Sequence, residues 1–245
     1  MLKTFSITDI GLKRKINQDY VFSSEMQVGA LPNLFIVADG MGGHKAGDYA
    51  SREATKMIVE SVRNSEETSP IRLIRTAVEL ANQKLLEKAG ESEDYAGMGT
   101  TVVVATIMED CLYVANVGDS RLYIINDEIT QITKDHSLVE EMVRMGGIDE
   151  EAAKYHPKKN VITRAVGGAE EIEIDFFEIR LTPNDSILIC SDGLTNMLDD
   201  EEIKLIIRKH RDVIEKAEEL VKEANANGGR DNITVTIIEQ SKAEE

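Results

Sequence analysis

Tryptophan is missing altogether, and aromatic residues make up only 4% of the 245 positions. Any core must therefore be filled by Val, Ile, Leu, Ala and Met, which the 42% apolar content can supply. Only two cysteines occur, with no Cys-x-x-Cys pair, which argues against a structural zinc site and a disulfide framework. Cys111 and Cys190 each fall inside an apolar run and read as small core hydrophobes in a reducing compartment. There is no apolar run of membrane-spanning length, and Met1-Leu2-Lys3-Thr4 does not begin a secretory leader. The expectation is a soluble, cytoplasmic, monomeric protein that does not engage membrane. Positive charge is also scarce: 28 basic against 45 acidic residues leave a net charge of −17. Nucleic acid is a poor partner for such a surface. A phosphate substrate would be repelled globally, so local positive charge must come from bound metal and a placed arginine. No linker rich in Pro, Gly or Ser and no internal repeat divides the chain, so one domain is expected over 1–240, with a polar, fraying tail at 239–245, of which 241–245 lies outside that domain.

Short strands are predicted at 4–9, 20–23 and 33–38. A helix follows from about Ala46 to Val62, with Ala50, Ala54, Met57, Ile58 and Ser61 at helical spacing. A second helix enters through Ser69 and Pro70, buries Ile71, Ile74, Val78, Ala81 and Leu85, and stops near Lys88 at Gly90. From Gly97 the period changes. Thr100–Ile107, Cys111–Val117, Arg121–Ile125 and Glu128–Ile132 read as an antiparallel meander, with Asn126-Asp127 as a tight turn. This is not a strand-helix-strand series, which counts against a doubly wound nucleotide-binding fold. Residues 135–168 are irregular, with a short helix near Leu138–Arg144 and a basic tract at 155–160. Strands at 176–181 and 186–190, helices at 199–209 and 212–226, and a strand at 233–238 complete the chain.

Twice an apolar run ends on Asp-Gly: Leu34 to Asp39-Gly40, and Ile187 to Asp192-Gly193. A carboxylate at the mouth of a buried strand, beside a glycine, presents a hard oxygen ligand suited to Mg²⁺ or Mn²⁺. A turn dipeptide is the plain alternative for either pair alone. Asp231 and Asp119 stand near similar apolar runs, and the Gly40 carbonyl is unobstructed. Arg14 could fork two hydrogen bonds onto a phosphoryl group, where a surface arginine is the alternative. Asp19 could add a bond through a metal-bound water. His44 could protonate a leaving alkoxide, or simply enter the helix. The glycines near it lack both P-loop and dinucleotide-site spacing.

Arg14…Asn17-Gln18-Asp19, Val37-Ala38-Asp39-Gly40-Met41-Gly42-Gly43-His44, Gly99-Thr100-Thr101, Asn116-Val117-Gly118-Asp119-Ser120-Arg121, Asp135-His136-Ser137, Ser191-Asp192-Gly193-Leu194 and Gly229-Arg230-Asp231-Asn232-Ile233-Thr234 occur in this order. The ordered set resembles the metal-dependent Ser/Thr protein phosphatases of type 2C, in their compact bacterial form. The resemblance implies an α+β fold, a four-layer αββα sandwich of two antiparallel sheets flanked by helix pairs. It implies that Asp39 bridges two Mn²⁺ or Mg²⁺ ions, with the Gly40 carbonyl on one and Asp192 and Asp231 on the other. Asp119 and Asp192 would form a weaker third site, and 135–168 would be a flap returning through Asn160–Ala165. Gln18 stands where many relatives carry glutamate, replacing a water-mediated carboxylate contact by an amide. Asn196 stands where eukaryotic relatives often place aspartate, so a third ion would lean on Asp119.

The implied reaction is hydrolysis of phosphoserine or phosphothreonine in proteins by a water shared between two metals, whose pKa falls to roughly 7. Arg14 would hold the phosphoryl oxygens and His44 would protonate the leaving oxygen. A cognate Ser/Thr kinase would make the phosphoproteins. The alternatives are a phosphatase dedicated to one regulatory phosphoprotein, a non-catalytic phosphoprotein-binding relative, and a metal-binding structural sandwich.

Overall fold

The computed structural model describes residues 2–43 and 46–240. Two antiparallel sheets pack face to face. The first has the order β1-β11-β10-β7-β8, from Leu2–Asp9, Ile233–Gln240, Ser186–Cys190, Arg121–Ile125 and Ile129–Gln131 respectively. The second has the order β2-β3-β5-β6-β9, from Asp19–Ser24, Leu34–Met41, Val102–Met108, Cys111–Val117 and Asp175–Arg180, and the two-residue β4, Gly99–Thr100, extends the pairing along β3.

Strand alternation divides the core into three slabs. Phe35, Val37, Val103, Leu112 and Val114 face Leu122, Ile124, Ile187, Ile189 and Ile238 between the sheets. Leu34, Ile36 and Ala38 turn the other way, onto α1 (Ala46–Asn64) and α2 (Pro70–Ala89). Leu188, Cys190, Val235 and Ile237 face outward from the first sheet. They pack on α6 (Asp200–Lys209) and α7 (Val213–Ala226) through Ile203, Ile207, Ala217 and Leu220. The result is the expected αββα sandwich. With no tryptophan available, Tyr123 and Phe35 are the largest fully buried side chains, and each buried aliphatic contributes about 1.5–3 kcal/mol. No described helix is long and apolar enough to cross a membrane.

Five details depart from the sequence-based expectations. The meander is split: β5 and β6 pair in one sheet and β7 and β8 in the other. The chain changes sheets at Gly118, whose φ of 109° is open to glycine. The β7–β8 loop has three residues, Asn126 to Glu128, because Ile125 pairs with Ile129. Thr101 interrupts the strand predicted over Thr100–Ile107. Besides the expected α3 (Leu138–Arg144), unexpected short helices occur at Glu93–Tyr95 (a 3-10 turn), α4 (Glu150–Lys154) and α5 (Asp192–Thr195). Lastly, β11 runs on through Glu239 and Gln240, where fraying is expected. Glu239 accepts hydrogen bonds from the buried Lys216 ammonium and from Ser186, which ties it down. The remainder of the tail, 241–245, lies outside the described residues.

Candidate metal and catalytic site

The strand ends deliver carboxylates to one seam between the sheets. Asp19 opens β2 and lies directly opposite Asp39 near the end of β3. Asp192 begins α5, with only Ser191 between it and β10, and Asp231 is separated from β11 only by Asn232. The Asp39 carboxyl lies among the charges of Asp19, Asp192, Asp119 and Asp231, a crowding of like charge relieved only by a bound proton or an intervening cation.

Backbone geometry fixes each position. The Asp39 amide donates to Thr101 Oγ1 at 3.0 Å, and its carbonyl accepts from the Thr101 amide and the Thr100 hydroxyl, both at 2.9 Å. This exchange explains the break in the strand at Thr101. Gly40 is hemmed in by Gly47 of α1: a Cβ on Gly40 would sit 2.0 Å from the Gly47 carbonyl oxygen. Gly193 lies as close to β11, where a Cβ would meet the Asn232 carbonyl oxygen at 1.9 Å. Both Asp-Gly glycines therefore allow one backbone to touch another. Neither has a positive φ.

Asp19 is buried and holds the seam. Its Oδ2 accepts from Ser191 Oγ and Thr234 Oγ1, each at 2.7 Å, across to the other sheet. Burial, partly offset by these two bonds, pushes its carboxyl up to about 7. Burial, followed by the repulsion of the neighbouring carboxylates, also raises Asp39 well above the ordinary range. Asp192 rises to about 6 from burial and from Asp231, although Asn196 Nδ2 donates to its Oδ2 at 2.9 Å. Asp119, on the sheet-switching turn and only 7% exposed, rises to about 8 for the same reason, burial first and then Asp192.

Oδ1 of Asp19, of Asp119 and of Asp192 is buried with no hydrogen-bond partner. Buried carboxylates of one sign, with lone pairs facing nothing, are unfavourable unless a cation joins them. Oxygen-only donors suit Mg²⁺ or Mn²⁺. No three His, Cys, Asp or Glu side chains among the described residues are grouped to hold an ion by themselves. The set thus fits a hard cation that takes one or two carboxylates with the Gly40 carbonyl and retains water.

Arg14 is the cation at the rim. Its Nη2 donates to Asp231 Oδ2 at 2.6 Å, and the guanidinium stays half exposed. That hydrogen bond is the main reason its pKa is raised. The loop carrying Arg14 is clamped by Asn232, whose side chain donates to the carbonyls of Ile10 and Ile16 and accepts from the Gln18 amide at 2.8 Å. Gln18 also reaches Gly47, where a Cβ would meet its Nε2 at 2.3 Å. His44 lies outside the described residues. Asn232, Ser191, Thr234 and Thr101 have structural roles in the site that the sequence reading does not assign. All four fall inside the ordered motifs, where the signal for Ser191, Asn232 and Thr234 is a short polar residue beside a strand-end aspartate or close to it. A cavity of about 680 Å³ opens beside Asp119 and Asp192, with Tyr155, Lys159, Asp199 and Asp200 also in its lining.

The family model for protein phosphatase 2C matches residues 13–233. The chain belongs to the protein phosphatase 2C family. It is 39% identical over 241 residues to the serine/threonine phosphatase stp of Listeria innocua, across 96% of this chain and 94% of that protein. The solved structure of the Streptococcus agalactiae serine/threonine phosphatase superposes with a TM-score of 0.92 at 38% identity, covering 98% of this chain and all of that one. The catalytic domain of the phosphatase PstP, solved in complex with two manganese ions, superposes with a TM-score of 0.85 at 32% identity over 97% of each chain. As a member of this family the chain is a Ser/Thr phosphatase by fold and by descent.

Proposed function

We propose that residues 1–240 act as one catalytic unit that removes phosphate from phosphoserine and phosphothreonine in proteins. Asp39, the Gly40 carbonyl, Asp192 and Asp231 would hold two divalent ions, and Asp119 with Asp192 a weaker third. Mn²⁺ is the first ion to test, because a relative in the same fold carries two of them. When bound, such ions supply positive charge for a phosphoryl group and acidify water.

The observation that carries this reading is the buried carboxylate seam with unpartnered oxygens on Asp19, Asp119 and Asp192. Arg14 is placed at its rim to hold phosphoryl oxygens in a two-pronged grip. For that it must exchange its bond to Asp231 for one to substrate. Asp19 stays anchored to Ser191 and Thr234 and keeps its Oδ1 facing the seam, able to orient a water. His44 is assigned the proton for the leaving oxygen. Thr100, Thr101 and Asn232 hold the backbone of Asp39 and of the Arg14 loop still. Since only a Ser/Thr kinase makes such substrates, a cognate kinase is the partner that this activity opposes. Two unpaired cysteines, Cys111 and Cys190, accord with a reducing cytoplasm.

The test is Mn²⁺-dependent phosphate release from a phosphothreonine peptide by the wild type and by Asp39→Ala. Release that needs Mn²⁺ and vanishes in the variant supports the reading. Release by Asp39→Ala at the wild-type rate removes it.

A further inference from the structure

His136 stands at the neck of the 135–168 flap and is 6% exposed. It makes a backbone bond on each side: its amide donates to the Gly118 carbonyl at 2.9 Å, and its carbonyl accepts from the Thr163 amide at 2.8 Å. Ser137 and Ile162 form an antiparallel bridge just beyond it and the Leu138 amide donates to the Val161 carbonyl at 2.8 Å, so the outgoing and returning arms of the flap meet here. The ring adds two further ties. The Gly118 amide, which can only donate, points at Nδ1 from 3.0 Å. Nδ1 is therefore the acceptor nitrogen and Nε2 carries the hydrogen. Nε2 lies 3.2 Å from Asp175 Oδ2 at the start of β9 and 3.2 Å from Arg164 Nη1. Arg164 Nη1 can only donate; with the Nε2 hydrogen directed to Asp175 Oδ2, it gives its own to Asp175 Oδ1 at 3.2 Å. Arg164 is turned outward to Glu173 by its other amine. Burial lowers the basicity of the ring, in keeping with a neutral imidazole.

Gly118 is the turn that throws the chain from one sheet to the other and so presents Asp119. A Cβ at Gly118 would strike Thr101 at 2.6 Å, so the turn is held by neighbours: Asn116 Nδ2 reaches the Gly118 carbonyl at a long 3.4 Å, Ser120 bonds Thr101 at 2.7 Å, and His136 alone takes the Gly118 amide, at 3.0 Å. We propose that His136 is a positioning residue: as a neutral imidazole protonated at Nε2, it locks the Gly118 turn to the flap neck and thereby fixes the Asp119 carboxylate where it lines the cavity. The proposal rests on the phosphatase reading only in taking Asp119 as a metal oxygen. The tautomer and the lock do not depend on it. An outer partner that orients a ligand in this way controls metal affinity about 10–100-fold when removed. It also makes the flap and the outer metal position two ends of one joint.

The experiment uses the full chain. ¹⁵N spectra of the histidine rings at neutral pH are expected to show His136 neutral with hydrogen on Nε2, and a ring carrying its hydrogen on Nδ1 overturns the proposal. Mn²⁺ is then titrated calorimetrically into metal-free wild type, His136→Ala, His136→Asn and, as a remote destabilised control, Val62→Ala. His136→Ala is expected to weaken the weakest binding event by about tenfold or more and to leave the tighter events alone. His136→Asn, whose Oδ1 can replace Nδ1 as the acceptor for Gly118, is expected to recover most of that loss, and Val62→Ala is expected to titrate as wild type. Wild-type titration by His136→Ala overturns the proposal, as does failure of His136→Asn to improve on His136→Ala. Failure of the phosphatase reading would show separately, as a wild type that releases no phosphate with Mn²⁺.

Discussion

Asp19 and Asp39 lie directly opposite one another on β2 and β3, yet their carboxylates meet different surroundings. Asp19 turns one oxygen to Ser191 and Thr234 of the other sheet and is held by both. Asp39 has its backbone fixed by Thr101, while its carboxylate lies among the charges of Asp19, Asp192, Asp119 and Asp231. One carboxylate of the pair ties the sheets together, and the other is aimed into the seam. Substitutions at the two positions should therefore separate stability from metal binding.

Asp39→Asn is expected to abolish Mn²⁺-dependent phosphate release while leaving the metal-free fold as stable as wild type or more so, because it removes a buried like charge. Asp19→Ala should lower metal-free stability by about 1–3 kcal/mol, since the Ser191 and Thr234 hydroxyls lose their shared acceptor. Urea unfolding of the two variants without metal checks the contrast.

The pH dependence of the metal-free protein follows from the same carboxylates. Asp192, Asp19 and Asp119 are raised to about 6, 7 and 8, whereas the unfolded value is about 3.9. Between the unfolded and folded values the native state binds more protons than the unfolded chain, so stability falls as pH rises. Melting without metal is expected to move several degrees lower from about pH 5 to about pH 8. Saturating Mn²⁺ should flatten or reverse that slope. A metal-free melting temperature that climbs over this range would count against the buried-carboxylate description.

Gly47→Ala tests the backbone that supports Gly40. Its Cβ would sit 2.7 Å from the Gly40 carbonyl oxygen and 2.3 Å from Gln18 Nε2. The Gln18 amide can swing away, but the carbonyl cannot without moving β3. A loss of about 1–3 kcal/mol is expected, together with weaker Mn²⁺ binding, measured by calorimetry on the folded variant.

Arg14→Lys keeps the charge but loses the two-pronged grip, so kcat/KM on a phosphothreonine peptide is expected to fall about 10- to 100-fold. His44→Ala should cost more on that peptide than on p-nitrophenyl phosphate, whose leaving group needs no proton. Steady-state kinetics on the two substrates checks both. Equal losses on the two substrates for His44→Ala would remove its assignment as the proton donor.

Much of this arrangement is legible in the sequence where one physical rule dominates. Leu34–Ala38 and Ile187–Cys190 declare buried strands by unbroken apolar runs, and Asp39 and Asp192 mark where those runs end. The splitting of the meander is not legible, because Cys111–Val117 and Arg121–Ile125 look alike as strands. Only the backbone at Gly118 decides that they belong to different sheets. Likewise nothing around Glu239 announces that it stays in β11, since its partner Lys216 is 23 residues away on a helix whose rotation sequence alone does not fix. The pairing of Arg14 with Asp231 joins residues 217 positions apart and depends on the clamp that Asn232 places on the Arg14 loop. The αββα order itself follows from the ordered motifs and from helix pairs placed after β3 and before β11.

The central claim is that these strand-end carboxylates hold divalent metal for phosphate-ester hydrolysis. Anomalous diffraction from crystals grown in Mn²⁺ tests it most directly. Two strong peaks are expected on the seam formed by Asp39, the Gly40 carbonyl, Asp192 and Asp231, with Arg14 drawn off Asp231. A seam without manganese at a concentration that supports full phosphate release would contradict the account.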